Sequence, residues 1–112
     1  GSAEVLAHPD LAARLPGVRP LHDGEEAYGL LARYAPGHSA DMLTLVGDGF
    51  AFVGDTMFAG SLGRAMNPAA YPDLLASARE IIALPETTLL FAGHGPVTNV
   101  GMERAHNAFS VA

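Results

Sequence analysis

The stretch DMLTLVGDGFAFVGDT, Asp41 to Thr56, decides the fold because it places two apolar segments on either side of the turn signal Gly47-Asp48-Gly49. Short apolar runs around a glycine-rich turn predict a β-hairpin. The second strand ends in Gly54-Asp55, so a carboxylate follows directly after an apolar strand and a glycine. Glycine lets the backbone turn sharply at a sheet edge, and the next side chain then points into a cleft. The stretch therefore predicts a sheet and marks one of its edges as a candidate site.

Two other segments repeat this order of apolar strand, glycine and metal-competent side chain. ARYAPGHS gives Gly37-His38, and LLFAGHG gives Gly93-His94. If the strands are neighbours their ends converge, and two imidazoles with one carboxylate suit zinc or non-haem iron. One such histidine alone is more commonly a hydrogen-bonded structural residue, and Gly54-Asp55-Thr56 alone fits an Asx turn. Three coincident placements favour a metal site at His38, Asp55 and His94.

The rest of the chain predicts short elements in close succession. EVLAHPD predicts a strand and PDLAARL a short helix, and Asp23-Gly24 predicts a tight turn between two extended pieces. From Tyr71 to Leu84 the apolar residues follow a helical period, with Leu74, Leu75, Ala78, Ile81 and Ile82 on one face and Ser77 largely elsewhere. TTLLFAG predicts a further strand, and VGMERAHNAF a terminal helix or turn. This mixture predicts an α/β or α+β fold with one mixed sheet and flanking helices.

Composition limits the classes of function that the chain can have. Its 112 residues suffice for one domain, and 49% of them are apolar, which indicates a well-filled core or an apolar face that expects a partner. The formal charge of −6 argues against nucleic acid as a ligand, and no apolar run approaches the roughly 20 residues that span a bilayer. We expect a cytoplasmic protein without a membrane partner. Because there is no cysteine, any metal must be held by histidine and carboxylate side chains.

Three motifs in this order carry a resemblance to a known family. APGHS, FVGDTMFAGSLGR and LLFAGHGPVTNVGMERAHNAF, with a helix before the last, resemble the C-terminal half of a hydrolase of the metallo-β-lactamase superfamily, in its glyoxalase II-like branch. The resemblance runs in register from about Val5 to the end of the chain. It implies that residues 3–112 form a single C-terminal half-domain, one half of an αββα sandwich. Gly1-Ser2 is predicted to be the remnant of an expression tag.

The resemblance also implies roles for individual residues. His38 matches the histidine that completes the first metal site, Asp55 the carboxylate that bridges both metals, and His94 the histidine that completes the second. Such a site holds two zinc ions and hydrolyses thioesters, lactams or related esters of small-molecule substrates through a metal-bound hydroxide. Arg64, in the segment GSLGR that leads towards the substrate region, is a candidate for orienting substrate, although a solvated loop arginine is the commoner situation.

One part of the family pattern is absent from these 112 residues. The His-x-His-x-Asp-His motif, which supplies the other ligands in the family, does not occur, so each metal would keep one histidine plus Asp55. Metal affinity depends on the number of ligands, and we therefore expect the chain alone to bind zinc weakly and to be inactive. A single sheet of the sandwich also leaves its inner face uncovered. We expect this face to pair with another copy of the chain or with the missing N-terminal half.

Two other functions remain open at this stage. The chain is alternatively a non-catalytic half-fold fragment that associates with itself and keeps the ligand residues as remnants. A second alternative is an iron-dependent enzyme similar to the persulfide dioxygenases, which resemble the same branch and use similar ligands. Zinc would favour hydrolysis, and iron would favour oxygen chemistry.

Overall fold

The computed structural model describes residues 4–111, and its centre is a six-stranded mixed sheet. The strands are β1 (Val5–Ala7), β2 (Val18–Pro20), β3 (Glu26–Ala27), β4 (Leu30–Tyr34), β5 (Leu43–Val46), β6 (Phe50–Gly54), β7 (Met57–Phe58), β8 (Ser61–Leu62), β9 (Leu89–Ala92) and β10 (Thr98–Asn99). The helices are α1 (Pro9–Ala12), α2 (Tyr71–Ile82), α3 (Val100–His106) and α4 (Ala108–Val111), with a 3-10 turn at Pro68–Ala70. The predicted tag remnant Gly1-Ser2 lies outside the described residues.

The sheet order confirms the predicted mixed sheet. Its strands lie in the order β10-β9-β6-β5-β4-β3, and β6 pairs with β9 in parallel while every other neighbouring pair is antiparallel. A parallel pair needs a crossover connection, and α2 provides it between β6 and β9. Two small pairs lie outside this sheet, one formed by β1 with β2 and the other by β7 with β8.

The hairpin predicted from Asp41–Thr56 is confirmed as β5 and β6. Its turn spans Gly47–Gly49, and the Gly47 N–H donates to the Phe50 carbonyl at 2.8 Å. Ala51 and Val53 of β6 are fully buried, and Leu90 of β9 is almost so. These residues point to the same side of the sheet because alternate side chains share a face of a strand.

Helix α2 covers this side of the sheet. Its Ile81 joins Ala51, Val53, Leu90 and Val100 of α3 in the hydrophobic core. The predicted helical period is thus confirmed, but the placement of Ser77 away from the buried face was wrong. Ser77 is only 5% exposed, and its hydroxyl donates to the Pro36 carbonyl at 2.8 Å. A buried hydroxyl is tolerated there because a backbone acceptor satisfies it.

The tight turn predicted at Asp23-Gly24 is confirmed between β2 and β3, where the Glu25 N–H donates to the His22 carbonyl at 3.0 Å. The sequence did not predict a second turn, at Tyr28-Gly29, which joins β3 to β4. Both of its residues have positive φ, 54° and 79°. Two-residue hairpin turns with this backbone usually contain Asn-Gly, and a tyrosine in the left-handed region gives no such signal in the sequence.

The opposite side of the sheet carries exposed apolar side chains. Leu45, Phe52 and Phe91 are register neighbours across three adjacent strands, and Phe50 and Leu89 form the next row on the same side. Phe52 and Leu89 are 44% and 46% exposed. The Phe52 ring lies 5.6 Å from that of Phe50 and 5.4 Å from that of Phe91, measured between centroids. These five residues are called the apolar face below.

Candidate metal centre

The three predicted strand ends lie at the same edge of the sheet. β4 and β6 are each antiparallel to β5, and β6 is parallel to β9, so β4, β6 and β9 all end on one side. Only β6 and β9 are direct neighbours, because β5 separates β4 from β6. The segment after β4 crosses the start of β5 and brings His38 to the other two residues. The structure therefore brings together His38, Asp55 and His94.

The carboxylate of Asp55 lies between the two imidazoles. Its Oδ1 is 3.0 Å from Nδ1 of His94, and its Oδ2 is 3.4 Å from Nε2 of His38. One oxygen thus faces each histidine. The Asp55 side chain is 26% exposed, so the group lies in a partly open cleft.

The backbone fixes which nitrogen of His38 faces Asp55. Nδ1 of His38 lies 2.9 Å from the carbonyl oxygen of Arg64, and because a carbonyl only accepts, Nδ1 carries the hydrogen and donates it. In the neutral ring, Nε2 then presents its lone pair towards the Asp55 carboxylate. This lone pair and the carboxylate oxygen lie 3.4 Å apart, so a cation beside them would be attracted to both. A backbone carbonyl that orients a histidine in this way is the usual outer contact of a metal ligand.

His94 is more open to solvent. Its side chain is 79% exposed, and Nδ1 donates to Oδ1 of Asp55, while Nε2 has no hydrogen-bond partner among residues 4–111. The Phe58 ring contacts the His94 ring edge to face, with centroids 6.0 Å apart. The ring is therefore positioned by one hydrogen bond and one aromatic neighbour.

Glycines shape this cleft in two ways. Gly37 and Gly54 have positive φ, 138° and 54°, which confirms the predicted sharp turns after β4 and at the end of β6. Gly93 does not need an unusual backbone. A Cβ on Gly93 would instead lie 2.5 Å from Oδ1 of Asp55, so this glycine leaves room for the carboxylate.

The side chains of His38, Asp55 and His94 are of the types that bind metals, but they are too few to complete the coordination of two ions. Two imidazoles and a carboxylate are ligands of zinc and of non-haem iron. As the side chains stand they bond to one another, and within residues 4–111 no group of three or more His, Cys, Asp or Glu side chains is arranged to hold an ion. One imidazole nitrogen and one carboxylate oxygen per ion is half of a four-coordinate zinc shell.

Arg64 lies two residues after the end of β8. Its side chain is exposed and forms no ion pair with residues 4–111, while its carbonyl orients His38. Its backbone therefore has a structural role that the sequence did not reveal.

A buried carboxylate beyond the cleft was missed by the sequence analysis. Glu103 of α3 is 5% exposed and accepts hydrogen bonds from the N–H of Gly60, the hydroxyl of Thr98 and the amide of Asn107. Burial raises the pKa of Glu103, but these three hydrogen bonds and the nearby His106 outweigh it and leave that pKa below its ordinary value. The spacing of Glu103 and Asn107, four residues apart, was the only available signal.

The other histidines lie elsewhere. His8 is buried, stacks on Tyr34 with ring centroids 4.5 Å apart, and its Nδ1 accepts from the Asp10 N–H at the start of α1. His22 and His106 are exposed.

Comparison with known proteins gives the class of this protein. The sequence pattern of the Metallo-beta-lactamase superfamily matches residues 8–94. The hydroxyacylglutathione hydrolase GloC of Haemophilus influenzae is 29% identical over 115 aligned positions, covering 96% of this chain and 54% of its own length. A crystal structure of TTHA1623 in a di-iron-bound form has a TM-score of 0.81 and 35% identity, covering 94% of this chain and 64% of that one. ETHE1 from Myxococcus xanthus has a TM-score of 0.79 and 26% identity, covering 95% and 51%.

The chain belongs to the metallo-beta-lactamase superfamily. Within it, the chain is a glyoxalase II-like member, as the resemblance of its three motifs implied. It spans about half the length of the H. influenzae relative and less than two thirds of TTHA1623. None of the helices within residues 4–111 has the length and apolar character needed to cross a membrane.

Proposed function

We propose that this chain supplies one side of a two-metal site in a glyoxalase II-like hydrolase that acts on thioesters. The observation that carries the proposal is the Asp55 carboxylate, which presents one oxygen to His38 and the other to His94 at 3.4 and 3.0 Å. A carboxylate with this arrangement is suited to lie between two ions, each of which also takes one histidine. When bound, zinc would supply an activated water and a Lewis acid at the substrate carbonyl.

Residues of this chain would orient the ligand His38, attract the metal ions and contact the substrate. The Arg64 carbonyl holds His38 in the tautomer whose Nε2 lone pair faces the cleft. Asp55 offers a negative charge to both histidines and so favours cations in the cleft. We propose that the exposed guanidinium of Arg64 contacts a negatively charged part of the substrate. The relative named hydroxyacylglutathione hydrolase indicates the class, an acylated glutathione thioester.

The remaining ligands are proposed to come from a segment outside these 112 residues. The apolar face supports this part of the proposal, because Phe52 and Leu89 are nearly half exposed and need an apolar cover. We propose that the face receives the other sheet of the sandwich, from an N-terminal half that carries the His-x-His-x-Asp-His motif. A cytoplasmic location remains a prediction.

Zinc titration of the chain, with calorimetric or chelator-competition detection, tests the ligand set. We expect weak binding that falls at least tenfold in Asp55→Asn, His38→Ala and His94→Ala, since each removes a direct ligand. His22→Ala is the matched control, because this histidine is exposed and outside the site. Equal affinity in the control and in all three site variants would refute the assignment.

Activity is tested by adding the N-terminal half of a glyoxalase II-like relative as a separate polypeptide. Hydrolysis of a hydroxyacyl-glutathione thioester should appear only in the mixture and should be lost with Asp55→Asn. The same assay is repeated with iron in place of zinc, because TTHA1623 has a di-iron-bound form. Iron-dependent consumption of oxygen with a persulfide, without thioester hydrolysis, would favour the dioxygenase alternative.

The exposed apolar face also favours a second candidate, self-association without catalysis. In that case Phe52→Asp would abolish a dimer seen by sedimentation, and the zinc-site variants would change nothing but solubility. A monomer at high concentration, together with zinc binding that depends on Asp55, would reject this candidate.

A further inference from the structure

Glu103 and its partners form a buried polar cluster that the proposed chemistry does not use. The Glu103 cluster consists of Gly60, Thr98, Glu103 and Asn107. Oε1 of Glu103 accepts from the Gly60 N–H at 2.9 Å and from the Asn107 amide at 2.8 Å, and Oε2 accepts from the Thr98 hydroxyl at 2.7 Å. Asn107 is fully buried. A satisfied network of this kind fixes the geometry of the segments that it joins.

The donors come from separate segments of the chain. Gly60 lies in the turn between β7 and β8, whereas Thr98 lies in β10, four residues after His94. The Asn107 amide also reaches the Phe58 carbonyl of β7 at 3.4 Å. A single carboxylate on α3 therefore joins the β7–β8 hairpin to the segment that follows His94.

The β7–β8 hairpin is linked to each of the three candidate ligands by a different route. It begins two residues after Asp55, and the Gly63 N–H that follows it donates to the Thr56 carbonyl at 2.9 Å. The Arg64 carbonyl beyond it holds the His38 ring. The Phe58 ring within it contacts the His94 ring. A displacement of the hairpin would consequently move the surroundings of the whole site.

We propose that Glu103 is a positioning residue, which clamps the β7–β8 hairpin against the segment after His94 and so preorganises His38, Asp55 and His94 for metal. The effect on metal rests on the proposed function, whereas the clamp itself is a property of the fold alone. Glu103 touches neither substrate nor metal in this arrangement. It acts through the Gly60 N–H, the Asn107 amide and the Thr98 hydroxyl.

The chemistry of the cluster predicts how substitutions behave. Glu103→Gln keeps one oxygen for Gly60 and Asn107, and its amide can donate to the Thr98 hydroxyl, which accepts as well as donates. Glu103→Met has a similar length but no acceptor for the three donors. The conservative variant should therefore rescue the clamp, and the apolar variant should lose it.

Two measurements on the full chain test the proposal, amide hydrogen exchange at Gly60 and zinc affinity by chelator competition. In Glu103→Met we expect Gly60 exchange to accelerate and zinc affinity to fall by up to about tenfold, the lower end of the range for residues that hydrogen-bond a ligand directly, because Glu103 acts through intervening residues. Glu103→Gln should stay within about twofold of the unsubstituted chain in affinity. Arg104→Met is the matched control, because Arg104 adjoins Glu103 but bonds to the Ile82 and Leu84 carbonyls.

The two proposals fail in different ways. If the unsubstituted chain binds no zinc, the proposed function fails, but faster Gly60 exchange in Glu103→Met would still support the clamp. Unchanged Gly60 exchange in a folded Glu103→Met chain would overturn the clamp, and so would a loss of zinc affinity in Arg104→Met as large as in Glu103→Met. If Glu103→Met does not fold, Thr98→Val replaces it. This variant removes one bond of the cluster and keeps the other two, so it should destabilise the chain less than Glu103→Met and should lower zinc affinity.

Discussion

Substitution of Gly93 by alanine should weaken metal binding without unfolding the chain. The backbone of Gly93 lies outside the left-handed region, so alanine is not strained there. The added Cβ would lie 2.5 Å from Oδ1 of Asp55 and at ordinary distance from its other nearest atoms. The carboxylate oxygen must retreat by about 0.9 Å to reach ordinary contact. A displacement of that size is enough to break its 3.0 Å hydrogen bond with His94.

The expected loss follows from how strictly metal ligands are placed. Sites lose function when ligands leave the productive geometry by more than about 0.5 Å, and we expect a tenfold or greater loss of zinc affinity. Only the tip of the partly exposed Asp55 side chain moves, so the free energy of unfolding should change by less than about 1 kcal/mol.

Competition with a chelator measures the zinc affinity, and urea unfolding measures the free energy of unfolding. Nuclear magnetic resonance of the imidazole rings reports the hydrogen bond between Asp55 and His94 in the absence of metal. The His94 ring signals should move in Gly93→Ala. Gly101→Ala is the control, because its Cβ meets only the Glu86 carbonyl and side chain and the Asn99 amide oxygen, at 3.2 to 3.4 Å, away from the site. Unchanged zinc affinity and unchanged His94 signals in Gly93→Ala would show that the Asp55 carboxylate does not lie against Gly93.

Three further outcomes are expected. Thr44→Val should raise the free energy of unfolding by about 1 kcal/mol in urea, because the buried Thr44 hydroxyl has no partner within residues 4–111; destabilisation would contradict this. Phe52→Asp should reduce any concentration-dependent association seen by sedimentation. Unchanged association would show that the copies do not associate through the apolar face. Because the folded pKa of Glu103 is lowered, its stabilising effect is present above the unfolded pKa and is lost as pH falls through the folded one. The stability difference between the unsubstituted chain and Glu103→Gln should therefore shrink below about pH 4, and a constant difference would refute the linkage.

Much of the fold and of the candidate site could be predicted because the signals are local. The hairpin of β5 and β6, helix α2 and the three glycine-preceded side chains each depend on residues that are close in sequence. The placement of Ser77 was wrong because a distant residue decides it: Ser77 is buried, and the Pro36 carbonyl accepts the hydrogen bond of its hydroxyl. The hairpin turn at Tyr28-Gly29 was not predicted, because no local preference marks a tyrosine with positive φ. The Glu103 cluster depends on contacts across more than forty residues, from Gly60 to Glu103.

The sequence by itself determined the hairpin of β5 and β6, helix α2, strand β9, the family and the identity of the three candidate ligands. Apolar periodicity and turn residues act within a few positions, so they can be read without the fold. Only the tertiary structure decided that β5 separates β4 from β6, and that Asp55 offers one oxygen to each histidine. It also decided that the Arg64 carbonyl sets the tautomer of His38 and that Gly93 is required for space. These relations depend on distances between atoms, and distances between residues far apart in the chain exist only after the sheet has formed.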